Sequence, residues 1–381
     1  MAAPAPSWQL PDDAIDVVMS NAAVVLRRTG VAIVDDPETE QLLADAGLID
    51  TDHRVRADIE QLLEIAGSAP RTFIQHARNP ARSIEIGAGQ PIFVPVYGPP
   101  NVRADDGIRR PAMMADYEAL VRIAADAAGL ATTGHMLCVP HDVLDAERDR
   151  AMVIAHLELS DKPLMGATTS GDTVRDVVAL VDSYFDHGAA ADCRLLHLAN
   201  SIPPLTFTSR MLGVIRASAA LGQATITTSY QLLGLTGPAA VLGALTQGLV
   251  ENLVGIAITQ LVRPGAPVIF GIYGTPFDMR SMLPRFGDPM SDAIQAGAVQ
   301  LARRLNLPAL GYGGMTSSKL DDAQAGLESA TCTNAARRAG ADVIMHAAGW
   351  LENGRTTSFS KFRREAAALA TAVAAGSERE G

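Results

Sequence analysis

ATITTSYQLLGLTGPAAVLGALTQGLVENLVGIAITQLVRPGAPVIFGIY, residues 224–273, is the stretch on which the fold turns. It opens with a β-branched run, ATITTS, and closes with an apolar one, PVIFGIY. Between them, residues 238–261 are rich in Ala, Leu and Gly, with Thr236 ahead of Gly237 and Pro238 as a helix start. Strand, helix, strand in that order is a βαβ unit, in which the helix is the crossover between two parallel strands. The helical part is long enough to span a bilayer. It nevertheless carries Gln247, Glu251, Asn252 and Gln260, which reads as a helix buried in protein.

The same alternation continues on both sides. Strand candidates are PIFVPVY from Pro91, TTGHMLCV from Thr132, PLMGATT from Pro163, CRLLHLA from Cys193, ATITTS from Ala224, PVIFGIY from Pro267, PALGYG from Pro308 and ADVIMHA from Ala341. A helical candidate follows each one: 115–128, 142–160, 172–187, 209–220, 238–261, 288–305, 320–339 and 358–374. Eight strands, each with its helix, predict an α/β chain folded as a closed (β/α)8 TIM barrel over residues 91–375. Ahead of it, helices at 13–28 and 56–66 and a hairpin at 72–87 turning at Asn79 and Pro80 form an N-terminal extension. This unit, residues 1–90, is expected to cap the closed end of the barrel.

Composition narrows the function. Hydrophobic residues make up 48% and charged residues 19%, enough for a large core and unlike a disordered chain. The formal charge of −11, with Lys and Arg scattered, argues against nucleic acid and against an anionic membrane surface as partners. Cys138, Cys193 and Cys332 lie far apart without CxxC spacing, and MAAPAPSWQLPDDAIDVV has no basic region ahead of an apolar run. Both point to the cytoplasm.

In a barrel of this kind the chemistry sits at the C-terminal strand ends. There the sequence places Tyr97, His135, Thr168, Asn200, Tyr230, Tyr273, Tyr312 and His346 as candidate substrate-binding residues. Aromatic residues total 4%, so four tyrosines on one face are a concentration. They fit a wall that attracts a quaternary ammonium ion, at about 0.5–2 kcal/mol per contact. They fit equally well as rim packing with wet hydroxyls. The Ser, Thr and Asn residues can serve as helix caps. No metal site is expected: His135 and Cys138 face opposite sides of a strand, and Cys193 and His197 stand ~13 Å apart along one. GYGGMTSSK, residues 311–319, lacks phosphate-binding spacing, and no nucleophile elbow is present.

Three longer stretches carry a family resemblance. They are TFIQHARNPARSIEIGAGQPIFVPVYGPPNV from Thr72, LGLTGPAAVLGALTQGLVENLVGIAITQLVRPGAPVIFG from Leu233, and GGMTSSKLDDAQAGLE from Gly313 with HAAGWLENGRTTSFSKF from His346. On these the chain resembles the trimethylamine methyltransferase family. The resemblance implies a barrel whose mouth docks a separate corrinoid (cobalamin) protein, with Co(I) attacking the methyl carbon of a methylated amine in line. No pyrrolysine is present, and family members without it include ones acting on quaternary amines such as glycine betaine. A quaternary nitrogen leaves as a neutral tertiary amine without further activation. The expected substrate is therefore betaine-like, with Thr168, Thr169 and Asn200 orienting a carboxylate. Asp322, Gln324 and Glu328 match the family's DxQxxxE pattern. Together with Met315 and the buried-helix Glu251, they are expected to be structural or to face the corrinoid. Family members continue beyond the position matching Phe362. A shortened homologue that binds ligand without turnover, or a methyltransferase for another N-methylated amine, therefore stays an alternative. Homo-oligomerisation is expected of such barrels.

Overall fold

The computed structural model describes residues 9–186, 188 and 192–377. Residues 1–8, part of the stretch read for a leader, and His187, the expected end of one helix, lie outside the described residues. The N-terminal part comprises α1 (Asp12–Arg28), β1 (Val31–Val34), α2 (Pro37–Asp45), β2 (Arg54–Val55), α3 (Ile59–Ala66) and the hairpin β3 (Phe73–Gln75) and β4 (Ile84–Ile86). Then come β5 (Ile92–Phe93), β6 (Asn101–Arg103), β7 (Arg109–Pro111), α4 (Met114–Asp126), α5 (Asp145–Leu159), β8 (Leu164–Met165), α6 (Gly171–Asp182), β9 (Leu195–Asn200), β10 (Thr206–Thr208) and α7 (Ser209–Ala220). The last part holds β11 (Ala224–Leu233), α8 (Val241–Val262), β12 (Val268–Asp278), β13 (Leu283–Pro284), α9 (Pro289–Arg304), β14 (Leu310–Tyr312), α10 (Ala323–Ala339), β15 (Val343–Met345), β16 (Trp350–Leu351), β17 (Thr356–Ser358) and α11 (Phe359–Ser377).

The βαβ unit is the centre of this α/β fold. β11 and β12 pair in parallel over nine residues, Thr225 opposite Val268 through Leu233 opposite Pro276. α8 lies behind them, and every residue from Ala244 to Gln260 is buried. A helix apolar on all sides needs protein all round it, and α8 has β11 and β12 on one side and α1, α3, α7 and α9 on the others. Two of its polar residues are spent on backbone: Asn252 Nδ2 donates to Gly271 O (2.9 Å) and Gln260 Nε2 to Ala266 O (2.8 Å).

β8, β9, β11 and β12 form a curled parallel sheet, with β13 antiparallel at its edge. β14, β15 and β5 form a second parallel sheet, tied to the first by a bridge between Phe270 and Ala309. The expected strand at Thr132 is not one. Residues 132–136 run as irregular chain because Gly134 turns to φ +73° and the Thr132 hydroxyl is taken by Pro163 O at 2.8 Å. The segment still bonds on both sides. Thr133 N donates to Pro163 O (3.0 Å), Met165 N to Gly134 O (2.9 Å) and Gly98 N to Met136 O (2.7 Å).

The expected helices appear with ends shifted by a few residues. α2 was not expected; Asp36 caps it by accepting from Thr39 N at 2.9 Å. Thr236 ends a turn over residues 234–236 rather than starting a helix, its hydroxyl accepting from Leu232 N (3.0 Å), and Gly237 bridges to Leu233. α1 and α3 pack on α8. The hairpin lies at the N-terminal ends of β8 and β9, where Gln75 Nε2 donates to Leu164 O (2.7 Å) and Arg194 O (3.0 Å). That is the end of the sheet opposite to the candidate site.

Candidate active site

Four neighbouring strands deliver a continuous row of rings at their C-terminal ends. Tyr230 on β11 and Tyr273 on β12 are register partners, so their side chains stand on one face, with centroids 5.5 Å apart and planes 29° apart. Tyr312 on β14 follows at 4.8 Å, and His346, just past β15, stacks on Tyr312 at 5.9 Å. Trp350 closes the row 4.5 Å from His346. Burial pushes the hydroxyls of Tyr230, Tyr273 and Tyr312 up. It holds the His346 imidazole down at about 3. All four rings are therefore neutral at physiological pH.

His346 takes φ +61°, a left-handed conformation that non-glycine residues adopt at a cost and that clusters at functional sites. Gly314, opposite, is also left-handed at φ +53°; a Cβ there would lie 2.1 Å from His346 O. The row thus depends on a close approach between the loops after β14 and β15. Lys361 on α11 holds that approach, its buried Nζ donating to Gly314 O (2.9 Å) and pairing with Glu365, whose Oε2 accepts from Gly349 N (2.9 Å).

The other half of the face is polar. Tyr97, beyond β5, shares a hydrogen bond with Thr168 Oγ1 (3.0 Å), and burial pushes its hydroxyl up to about 12 against that bond. His135 is fully buried 6.3 Å from the Tyr97 ring. Among the described residues neither of its nitrogens has a hydrogen-bond partner, Nε2 lying 3.6 Å from Asp149 Oδ1. His197 on β9 donates from Nδ1 to Ala167 O (2.7 Å), which leaves Nε2 bare, and burial lowers it to about 4. The ring fits because residue 166 is Gly; a Cβ there would sit 2.2 Å from His197 Cε1. His156 on α5 is lowered to about 3 by burial and lies between Thr133 Oγ1 (2.8 Å) and the Tyr117 hydroxyl (2.7 Å).

Asn200 joins the halves. It ends β9 opposite Thr228 on β11, and the Thr228 hydroxyl bonds Tyr312 OH at 2.6 Å. The buried Asn200 Oδ1 lacks a partner among the described residues. Unpartnered buried polar atoms are costly and imply water or a ligand. Asn200 shares the face of Thr228 and Tyr230, whereas His197, three residues earlier on β9, points to the other side of the sheet.

The remaining candidates stand behind this face. Glu251, fully buried on α8, accepts from Leu205 N (2.7 Å), Gln247 Nε2 (3.0 Å) and the Ser201 hydroxyl, and so fixes the loop after β9. Glu328 Oε2 accepts from Thr316 Oγ1 (2.6 Å) and Ser317 N (2.7 Å), while exposed Gln324 donates to its other oxygen (2.9 Å). Asp322 caps α10 through Ala325 N (2.9 Å), a bond that lowers its carboxyl, and Met315 is core. No cluster of three or more His, Cys, Asp or Glu suited to a metal occurs among the described residues.

Asp149, His156, His197, Trp350 and Lys361 escaped the strand-end reading. Asp149, Met152, Val153 and His156 follow i, i+3, i+4, i+7 on α5, so one buried helical face carries both polar residues. That spacing was the available signal.

Residues 3–376 match the family model described as Trimethylamine methyltransferase (MTTB). The chain belongs to the trimethylamine methyltransferase family. It is a corrinoid-dependent methyltransferase family member that takes its methyl group from an N-methylated amine. Glycine betaine methyltransferase of Desulfitobacterium hafniense (strain Y51) is 32% identical over 93% of this chain and 74% of that protein. Proline betaine:corrinoid methyltransferase of Eubacterium limosum is 28% identical over 89% of this chain and 71% of its own. In fold, the chain is similar to the crystal structure of the Methanosarcina barkeri monomethylamine methyltransferase, with a TM-score of 0.56 at 13% identity over 94% of this chain and 78% of that one.

Proposed function

We propose that this family member demethylates a quaternary amine of the betaine class, passing the methyl group to the Co(I) centre of a corrinoid protein docked over the strand ends. The row of four neutral rings, Tyr230, Tyr273, Tyr312 and His346, carries this reading. A quaternary ammonium has no N–H and cannot be held by hydrogen bonds. It is held by ring faces, at about 0.5–2 kcal/mol per contact. A carboxylate in the row would hold the cation more tightly in the ground state than in the transition state, where its charge is leaving, and would slow transfer. The names of the two relatives acting on betaines favour the same substrate class.

The acceptor supplies a two-electron nucleophile. The chain's own residues position the amine, keep water out and set which methyl faces outward. Thr168 and Asn200 suit a carboxylate, which would accept from the Thr168 hydroxyl and the Asn200 side-chain Nδ2. Asp322, Gln324, Glu328 and Glu251 hold the loops that frame the mouth.

We read the architecture as a closed (β/α)8 barrel over residues 91–375, with residues 1–90 as an extension. The support is that backbone hydrogen bonds run from β15 to β5, from Gly98 to Met136, and from residues 133–134 to β8, around to the main sheet. Three buried cysteines without a disulfide suit the cytoplasm.

Calorimetry tests the cation wall. Glycine betaine is compared with its carba-analogue, 3,3-dimethylbutyrate, in which carbon replaces the quaternary nitrogen. Two or three ring contacts predict a preference for betaine of about fivefold or more. Equal affinities would remove the basis of the reading.

A further inference from the structure

A betaine carries a full negative charge at the end opposite its quaternary nitrogen, and Thr168 and Asn200 offer that end only neutral donors. A cation stands beside them. Arg210 is the second residue of α7, and its Nε donates to Thr168 O at 3.3 Å, across the loop that follows β8. The same Thr168 bonds Tyr97 OH through its hydroxyl at 3.0 Å, so Arg210 is anchored on the polar half of the site. Its charge reaches further in. The guanidinium favours the ionised forms of the Tyr97 hydroxyl and the Asp149 carboxyl, although burial outweighs it at Tyr97.

Packing and helix stability give no reason for an arginine here. Arg210 is exposed, and its two terminal nitrogens have no partner among the described residues. Arg148 and Arg175, near the starts of α5 and α6, are each paired at 2.5 Å with an aspartate of their own helix, Asp145 and Asp172. The acid that feels Arg210, Asp149, lies instead against His135 Nε2 at 3.6 Å. A cation in the first turn meets the positive end of the helix and is disfavoured there, and α7 has no acidic residue in that turn to offset it. A local rule broken without an internal partner is expected of a functional position.

We propose that Arg210 recognises the substrate carboxylate and sets the preference of this site for betaines over quaternary amines that lack an acid group. The carboxylate accepts from the free guanidinium nitrogens, whose planar N–H groups match its two oxygens, and from Thr168 and Asn200. The quaternary nitrogen rests on the rings of Tyr230, Tyr273, Tyr312 and His346. Substrate and demethylated product carry the same carboxylate, so a cation at that end adds affinity and orientation without opposing methyl transfer. The proposal rests on the betaine reading of the site.

The test is calorimetry with glycine betaine and with choline, in which a hydroxymethyl group replaces the carboxylate, on wild type, Arg210→Lys, Arg210→Gln and Arg210→Glu. Wild type should prefer betaine. Arg210→Gln should weaken betaine by about fivefold or more, between what an exposed ion pair and a buried charged hydrogen bond give, and change choline by less than about twofold. Arg210→Lys should retain part of the betaine affinity, and Arg210→Glu should lose more than Arg210→Gln. Thermal unfolding separates recognition from folding, because Arg210→Glu places a favoured anion at the helix start and should melt no lower than wild type. The proposal is overturned if Arg210→Gln leaves betaine within about twofold, if it weakens betaine and choline alike, or if the losses follow the melting temperature. Equal wild-type affinities for the two ligands would overturn it while leaving the ring wall standing. Wild type that binds neither would remove the quaternary-amine reading and the proposal together.

Discussion

Replacing Lys361 by Met removes one half of a buried ion pair that ties α11 to the loops on either side of His346. Lys361 is 0% exposed, and the Glu365 side chain 10%. Burial pushes Lys361 down and Glu365 up, each toward its neutral form, and their mutual attraction works against this. Lys361→Met leaves the Glu365 carboxylate buried with only Gly349 N, and leaves Gly314 O bare. Breaking such a pair costs about 3–5 kcal/mol. Glu365→Gln strands the ammonium and falls in the same range. The double variant removes both charges. The side-chain amide that Glu365→Gln introduces can still accept from Gly349 N, so the remaining cost is one unsatisfied carbonyl, about 1–3 kcal/mol. Urea unfolding followed by tryptophan fluorescence reads all three. The double variant should be at least about 3 kcal/mol more stable than the sum of the singles implies. Singles costing under about 1 kcal/mol, or additive losses, would refute a role for this pair in holding the loops.

Glu251→Ala leaves Ser201, Leu205 N and Gln247 without their acceptor, an expected loss of about 3 kcal/mol with faster hydrogen exchange at the Leu205 amide; unchanged exchange would contradict it. Tyr312→Phe keeps the ring but deprives the Thr228 hydroxyl of its 2.6 Å partner, so stability should fall by about 1 kcal/mol while betaine affinity stays within about threefold. Tyr312→Leu should weaken betaine by roughly 2- to 30-fold, and calorimetry separates the two. Acid titration tests the buried imidazoles. With His156 and His346 lowered to about 3 and His197 to about 4, the unfolded chain binds more protons between pH 6.5 and those values. Their stabilisation is complete above pH 6.5 and is lost as pH falls, at up to about 1.4 kcal/mol per pH unit for each histidine. A stability curve flat from pH 6.5 to 4.5 would show that these groups are solvated.

The βαβ core was readable because its three signals agree: a β-branched run, an apolar run, and between them a helix too polar for lipid. Residues 132–136 were misread as a strand because an apolar run containing Gly134 has strand composition, while its conformation is set by a hydroxyl bond to Pro163, 31 residues away. α2 was missed because its start is a short Asp-Pro cap in a polar segment. Tyr230, Tyr273, Tyr312 and His346 could be assigned to one face by placing strand ends in order. Their spacing could not, since it depends on the register of β11 with β12 and on the Lys361 tether from α11. Asp149 and His156 were hidden among apolar neighbours on a helix that the strand-end rule does not examine.

Mixing the reduced protein with cob(I)alamin and a panel of betaines and methylamines under anaerobic conditions, and following the absorbance change to methylcobalamin with the tertiary amine released, tests the central claim most directly. The account predicts methylation by a quaternary betaine, with one tertiary amine formed per methyl group transferred. Methylation by trimethylamine and by no betaine, or tight betaine binding without any methyl transfer, would contradict it.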